Sequence, residues 1–291
     1  MILVDYSQVA ISNLMKQLSV SKGELVLNEE LVRHMILNSL RGYRQKFFQE
    51  YGELVICCDA TDVWRKTIFP FYKAGRKKHR EDSVHDWNNI FTILNKIRDE
   101  IREHMPYKSI RVDHAEADDI IGVICSKYGR IQYEEARNAE KILIISGDKD
   151  FTQLQKYANV FQYSPVLKKF LTIDNPERFR REHIMLGDKG DGIPNFLSPD
   201  DTFVNNRRQR QLSRKKLLEW IEKDPMDFCD DEMLRGYRRN ETLVDLEKAP
   251  SHITESCLTA FETSVANPRS KLLNYFMQNR LRNLVEKIGE F

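Results

Sequence analysis

Four short apolar runs are spaced through the first 165 residues or so: ILV (2–4), ELVICCDA (53–60), SIRVD (109–113) and KILIIS (141–146). Longer stretches of helical period separate them. Residues 28–51 put Leu31, Met35, Ile36, Leu40, Tyr43 and Phe47 on one face, residues 85–105 follow Asp86 as an N-cap, and residues 116–129 end in a glycine. This alternation predicts an α/β fold, a mostly parallel central sheet flanked by helices on both faces. Beyond about residue 175 the helical pattern dominates and no further buried strand is evident. Residues 1–174 therefore read as the α/β core and 175–291 as a smaller all-helical C-terminal domain. Its first helix, NPERFRREHIMLG (175–187), opens with Pro after Asn and runs into GDKGDGIPN. The last segment, NPRSKLLNYFMQNRLRNLVEKIGEF, reads as one amphipathic helix with Leu272, Leu273, Phe276, Leu284, Val285 and Ile288 on its apolar side.

The composition narrows the function by exclusion. A chain of 291 residues with 31% charged side chains and a net charge of only +2 reads as globular, with the charge unevenly distributed. There is no basic leader ahead of MILVDYS and no apolar run of membrane-spanning length, so a cytoplasmic protein without membrane contact is expected. Five cysteines, at 57, 58, 125, 229 and 257, show no CxxC spacing and read as reduced thiols, Cys57 and Cys58 as core. The seven histidines show no pairing with Ser or Cys, which argues against a triad mechanism.

Three of the apolar runs finish in aspartate: Asp5, Asp59 and Asp148. In a parallel sheet the carboxyl ends of the strands share one edge, where ligands bind. One Asp after a strand commonly caps a turn; three at equivalent ends concentrate like charge, which is costly unless a cation sits among them. Asp150 follows Asp148 at i, i+2. Glu116, Asp118 and Asp119 open a helix, where the helix dipole alone favours acids. On a regular helix Glu116 and Asp119 share a face, and a loosened first turn would bring all three inward. Asp188 and Asp191 follow the 175–187 helix. Hard oxygen donors suit Mg²⁺, with Mn²⁺ as a substitute, and carboxylates in excess of one ion's needs point to two ions and phosphodiester cleavage.

Two acid-free basic runs supply a partner for such a site. WRKTIFPFYKAGRKKHR (64–80) holds Arg65, Lys66, Lys73, Arg76, Lys77, Lys78 and Arg80, interleaved with Trp64, Phe69, Phe71 and Tyr72. It reads either as a solvated loop or as a segment that tracks phosphates and stacks on bases; its start five residues after Asp59 favours the second. NNRRQRQLSRKK (205–216) contributes Arg207, Arg208, Arg210, Lys215 and Lys216, and with Lys189 in the acidic turn would hold a DNA backbone without reading sequence.

The ordered set LVDYSQVAIS, CCDATDVWRKTIFPFYKAGRKK, EADDIIGVI, ILIISGDKDFTQL and LGDKGDGIPN resembles the 5′ nucleases, which include flap endonucleases, the 5′→3′ exonuclease domains of bacterial polymerases and the ribonucleases H of T-even-type phages. The resemblance covers nearly the whole chain and is weakest from about 195 to 265. It implies a helical arch (about 64–85) over the active site and a helix–three-turn–helix element (about 175–205) that grips duplex DNA. It implies a first metal group of Asp5, Asp59, Glu116, Asp118 and Asp148 and a second of Asp119, Asp150, Asp188 and Asp191. Lys73 and Arg76 are implied at the scissile phosphate and Tyr72 near the terminal base. The implied activity is Mg²⁺-dependent 5′→3′ exonuclease, flap endonuclease and ribonuclease H cleavage, removing RNA primers and 5′ flaps from branched, nicked or RNA-primed duplex DNA on the lagging strand. A K⁺ ion at the helix–three-turn–helix, a monomeric state and contacts with a single-stranded-DNA-binding protein and a sliding clamp complete the expectation. The family hairpin commonly reads G-D-x-x-D-N-I-P-G; here Gly192 and Asn195 stand at the sixth and ninth positions, both residue types that tolerate positive φ. The rivals are a non-catalytic structure-specific DNA-binding protein and a single-domain-type endoribonuclease of related fold. A small-molecule phosphohydrolase wants Asp-x-Asp after the first strand, where this chain has Asp5-Tyr6-Ser7.

Overall fold

The computed structural model describes residues 1–20 and 28–291; for residues 16–20 and 77–79 it describes the backbone only. Six strands, β1 (Ile2–Asp5), β2 (Leu54–Cys58), β3 (Lys108–Arg111), β4 (Ile142–Ile145), β5 (Val160–Ser164) and β6 (Lys169–Leu171), form one sheet in the order β3-β2-β1-β4-β5-β6. All neighbours are parallel except β5 and β6. The helices in chain order are α1 (Tyr6–Val20), α2 (Glu29–Tyr51), α3 (Trp64–Ile68), α4 (Ala74–Glu81), α5 (Trp87–His104), α6 (Ala117–Tyr128), α7 (Tyr133–Arg137), α8 (Pro176–Leu186), α9 (Arg214–Trp220), α10 (Asp231–Val244), α11 (Ser251–Thr263), α12 (Ser270–Gln278) and α13 (Arg282–Val285). None of the described helices is long and apolar enough to cross a membrane.

β1, β2 and β4 are buried on both faces, which is why they read as continuous apolar runs. The pleat sends Ile2, Val4, Ile56, Cys58, Leu143 and Ile145 to one face, against α1, α2 and α5. Leu3, Val55, Cys57, Ile142 and Ile144 point to the other, against α6 and α11. The sheet grows outward in both directions from the β1–β4 pair, so the topological switch lies between the strands that carry Asp5 and lead to Asp148. Caps fall where the side chains demand: Asn28 accepts from the Leu31 amide, Asp86 from Asn88 and Asn89, and Asn175 from Arg178, with Pro176 at the first helical position.

Several expectations change. β5 and β6 have no counterpart in the sequence reading, because β5 carries the polar residues Gln162 and Ser164. Both are buried, and Gln162 donates to the carbonyls of Ser146 and Asp148 (3.0 and 2.6 Å). Gly129 caps α6 at φ −68°, so it is no left-handed cap; a Cβ there would lie 2.4 Å from the Cys125 carbonyl and the Tyr157 ring. The final helix is broken at Arg280, which adopts φ +55°, and Leu273 is exposed. Its two pieces do not belong to a separate helical unit. Leu272, Phe276, Leu281 and Leu284 pack on the α2/α5 side of the sheet, while Ile253, Cys257 and Phe261 of α11 pack on the other. Among the described residues α8 to α10 share a core of their own, and residues 63–72 are built into it through Val63, Phe69 and Tyr72. The break near 175 is thus a change of secondary structure more than of core. Of the expected helix–three-turn–helix (about 175–205), α8 is the first helix. Residues 187–213 hold no described helix, and the next one starts at Arg214, after an exposed polar run with little apolar surface to bury.

Candidate active site

The carboxyl edge of the sheet gathers the acids. Asp5 closes β1, level with Cys57 of β2, and is nearly buried. Its Oδ1 accepts from the Gln8 amide (3.1 Å) and its Oδ2 from the Ser146 hydroxyl (3.1 Å). Asp59, one residue past β2, accepts from the Ser7 hydroxyl (2.5 Å) and the Ala117 amide (2.8 Å), which ties the start of α6 to the sheet edge. Asp148 caps the short 3₁₀ segment Lys149–Lys156, its Oδ1 accepting from the Asp150 amide at 3.0 Å. The Gly147 amide donates to Gln8 Oε1 (2.7 Å), so α1 and the β4 loop are locked to each other beside Asp5.

Burial, together with the charges of Asp59 and Asp148, pushes the Asp5 carboxyl up to about 7. Asp118 is held well above the usual carboxylate range by burial and by Glu116, Asp5 and Asp148, with Lys73 opposing. Asp148 is raised by burial and by Asp150. Asp5, Asp118 and Asp148 are raised first by burial and then by neighbouring acids, a penalty that a divalent cation would relieve, and an all-oxygen donor set suits a hard ion. Asp118 also lines a small cleft with Asp150, Asp188 and Asp191, so the two implied metal groups adjoin.

The raised Asp5 carboxyl has a sign that can be tested. Between about pH 4 and 7 the folded chain keeps a proton that the unfolded chain has released, so this group's contribution to stability is lost as pH rises. In metal-free protein, Asp5→Asn is expected to melt progressively higher than wild type as the pH goes from about 5 to about 8. A difference in melting temperature that stays constant or shrinks over that range would contradict the crowding.

Glu116 and Asp119 are treated differently. Glu116 is buried and already paired: Lys73 Nζ lies 2.6 Å from Oε1, Arg65 Nη1 2.8 Å from Oε2, and the Tyr72 hydroxyl donates to Oε2 at 3.0 Å. Burial works against its ionisation, but Lys73 and Arg65 outweigh it and hold Glu116 below the usual range. Asp119 is turned into the protein, fully buried. It pairs with Arg65 (2.8 Å), accepts from Trp64 Nε1 (3.0 Å) and from the Glu116 amide (2.8 Å). Asp119 is therefore not placed to join Asp150, Asp188 and Asp191 in the second metal group, as the resemblance implied, and Glu116 of the first group is already paired with Lys73 and Arg65. Asp118 is the α6 residue that joins Asp5 and Asp148, and Asp119 serves the N-terminal capping box.

The basic segment is corrected too. Arg65 is 2% exposed and Tyr72 3%, so neither is placed to touch a nucleic acid as expected. Trp64 and Phe69 are likewise core, which leaves half-buried Phe71 as the remaining candidate for base stacking. Lys73 sits at φ +57° with its amide bonded to the Asp191 carbonyl (2.7 Å), and Arg76 pairs with Asp191. Both sequence-predicted catalytic cations thus converge on the acidic cleft. Lys66, Lys189, Arg207, Arg208, Arg210, Lys215 and Lys216 are exposed, as phosphate contacts must be, and Arg80 is exposed beside Phe91. The side chains of Lys77 and Lys78 lie outside the described residues.

The acidic turn after α8 is tight. Gly187 (φ +69°) and Gly192 (φ +76°) take left-handed conformations, and a Cβ on Gly187 would lie 2.4 Å from the Ile193 carbonyl. Asp188 pairs with Ile193 across the turn and takes the Gly190 and Asp191 amides on Oδ1 (2.7 and 3.2 Å). Asn195 needs no positive φ. Its side chain accepts from the Leu197 amide and Ser198 hydroxyl and donates to the Arg210 carbonyl, joining the turn to the basic run. One neighbour escaped the sequence reading: His183, on the last turn of α8, lies with Asp150 and Asp188. Its spacing from Asp188, one helical turn before the acidic hairpin, was the available signal.

A parallel sheet with a carboxylate-lined switch point, joined to a helical lobe by a basic segment, defines a class. Residues 1–184 match the family described as 5′–3′ exonuclease, N-terminal resolvase-like domain, and residues 176–291 match the family described as T4 RNase H, C terminal. The chain belongs to the 5′–3′ exonuclease family and is a phosphodiester-cleaving nuclease. Among individual proteins, it is 32% identical over 299 residues to the ribonuclease H of Enterobacteria phage T4, covering 99% of this chain and 95% of that one. It is 32% identical over 139 residues to the flap endonuclease Xni of Shewanella pealeana, covering 45% of this chain and 48% of that protein. Its fold matches the D15 protein of T5 co-crystallised with metal ions, with a TM-score of 0.57 at 15% identity, covering 96% of this chain and 97% of that one. It also matches T5 5′-exonuclease with bound zinc ions, with a TM-score of 0.58 at 14% identity, covering 90% and 98%.

Proposed function

We propose that this nuclease is a Mg²⁺-dependent 5′→3′ exonuclease and flap endonuclease with ribonuclease H activity, acting on RNA primers and 5′ flaps during lagging-strand replication. The observation that carries the reading is the gathering of Asp5, Asp118 and Asp148, from three separate segments, at one edge of the sheet, where burial and neighbouring acids raise all three carboxyls above the usual range. Asp5, Asp59, Asp118 and Asp148 would hold one divalent ion, and Asp150, Asp188 and Asp191 a second. Bound there, the two ions supply an activated water and stabilise the leaving oxygen.

The protein's own residues do the rest. Glu116 stations Lys73 at the pocket, and Asp191 stations Arg76, whose side chain is half exposed and free to exchange its partner for a substrate phosphate. Both would offset charge that develops on the phosphate. Asp119 acts through Arg65 and Trp64 to fix the first turn of α6, a positioning role in place of ligation. The exposed cations of 205–216 and Lys189 hold the duplex backbone without sequence preference. The proposal extends to a K⁺ ion at the 187–195 turn, to a monomer, and to contacts with a single-stranded-DNA-binding protein and a sliding clamp.

Digestion of end-labelled 5′-flap, RNA–DNA hybrid and single-stranded substrates, with and without Mg²⁺, tests this reading. Mg²⁺-dependent release of 5′ products from the flap and the hybrid is expected. Binding without cleavage in every case would favour the DNA-binding alternative. Lys73→Ala should lower flap turnover on the order of 10²-fold, as loss of a preorganised charge donor does. It should leave Mn²⁺ affinity undiminished, because removing a positive charge beside the acidic cleft does not weaken the cleft's hold on a cation. Unchanged turnover would remove Lys73 from the mechanism.

A further inference from the structure

His183 lies against Asp150 and Asp188, two of the acids of the cleft, and its surroundings are unusual. It is 6% exposed, and its ring stacks on Phe179 with centroids 5.7 Å apart, which fixes its plane. Nε2 lies 2.9 Å from Asp150 Oδ1 and 3.5 Å from Asp188 Oδ2. Despite that approach, neither Nε2 nor Asp150 Oδ1 makes a hydrogen bond, and both atoms are buried. A histidine paired with a carboxylate for its own sake would align its N–H with an oxygen lone pair, since a buried unsatisfied polar atom costs roughly 1–3 kcal/mol. A cation placed between them would accept a lone pair from each.

We infer that His183 is a metal ligand: Nε2 and the carboxylates of Asp150 and Asp188 form a mixed nitrogen–oxygen site that selects first-row transition ions such as Mn²⁺ over Mg²⁺. The inference rests on the reading that divalent cations occupy this pocket, and deepens it. The ligand atoms lie within 4.8 Å of one another and come from three separately anchored segments. His183 stands on the last turn of α8. Asp188 is returned towards it by the left-handed Gly187, its Oδ1 tied to the Gly190 and Asp191 amides, which leaves Oδ2 towards the histidine. Asp150 is set by its amide's bond to Asp148. Lys149 approaches Asp188 Oδ2 at 3.3 Å, but its side chain is more than half exposed and can swing into solvent. Imidazole is a borderline-soft donor that transition ions accept readily, whereas Mg²⁺ prefers oxygen and gives up water reluctantly.

The test uses untagged full-length protein and Mn²⁺ as the probe. Pulsed electron paramagnetic resonance of the Mn²⁺-loaded protein should show a ¹⁴N coupling that converts to ¹⁵N when histidine alone is isotopically labelled, and that is lost in His183→Gln. Calorimetric titration should show the preference for Mn²⁺ over Mg²⁺ falling at least about tenfold in that variant, the lower end of what loss of even an outer-sphere ligand partner costs. If His183→Gln does not fold, the labelled wild-type spectrum decides alone. Bound Mn²⁺ without histidine nitrogen coupling, or a coupling that persists in His183→Gln, would overturn the inference while the divalent-cation reading stands. No bound Mn²⁺ at all would overturn both.

Discussion

Asp5→Asn and Asp148→Asn are each expected to cut Mg²⁺-dependent cleavage on the order of 10³-fold while the proteins stay folded and bind DNA nearly as wild type does. The substitution keeps the shape of the side chain, so an amide oxygen at position 5 can still accept from Gln8 and the Asp148 cap can persist. What is lost is a charge the pocket holds at a cost, as the Asp5 carboxyl raised to about 7 attests. A group maintained against its own electrostatics serves something other than stability. The measurement is single-turnover cleavage of a 5′-flap substrate beside a binding titration in Ca²⁺. Substantial cleavage in both variants would remove these residues from the metal assignment.

The second large effect concerns stability. Arg65→Met is expected to destabilise the fold by about 3–5 kcal/mol, because breaking a buried ion pair from one side strands its partners. Arg65 is 2% exposed, binds Glu116 and Asp119 at 2.8 Å each, and donates to the Leu243 carbonyl at 3.0 Å. It thereby joins the first turn of α6 to the C-terminal end of α10. Denaturant unfolding measures the loss; a change below about 1 kcal/mol, the range of a surface pair, would mean that Arg65 is not held as the geometry states.

These three residues mark how far the sequence could be read. Asp5, Asp59 and Asp148 were legible because strand ends in a parallel sheet coincide in space, a rule that needs only the apolar runs and their order. Arg65 and Tyr72 were misread, because a basic, aromatic segment looks the same whether it faces solvent or inserts between lobes. What decides is a partner far along the chain, Glu116 for both and Leu243 for Arg65. The α6 acids were assigned to the right turn, and Asp118 joins Asp5 and Asp148 as the resemblance implies, but Asp119 departs from its implied group. Helical spacing pairs residue 116 with 119, while the capping box draws Asp119 inward and leaves Asp118 to the pocket. β5 was hidden by its buried Gln162, whose purpose, holding the Asp148 loop by two carbonyls, exists only in three dimensions. For His183 the signal is its spacing from Asp188 alone, which gains meaning once the turn after α8 folds back.

The most direct test of the central claim is anomalous diffraction from crystals grown with Mn²⁺. Manganese density among Asp5, Asp118 and Asp148, with a second peak beside Asp150 and Asp188, is the predicted result. Well-ordered carboxylates with no manganese between them at saturating concentration would contradict it.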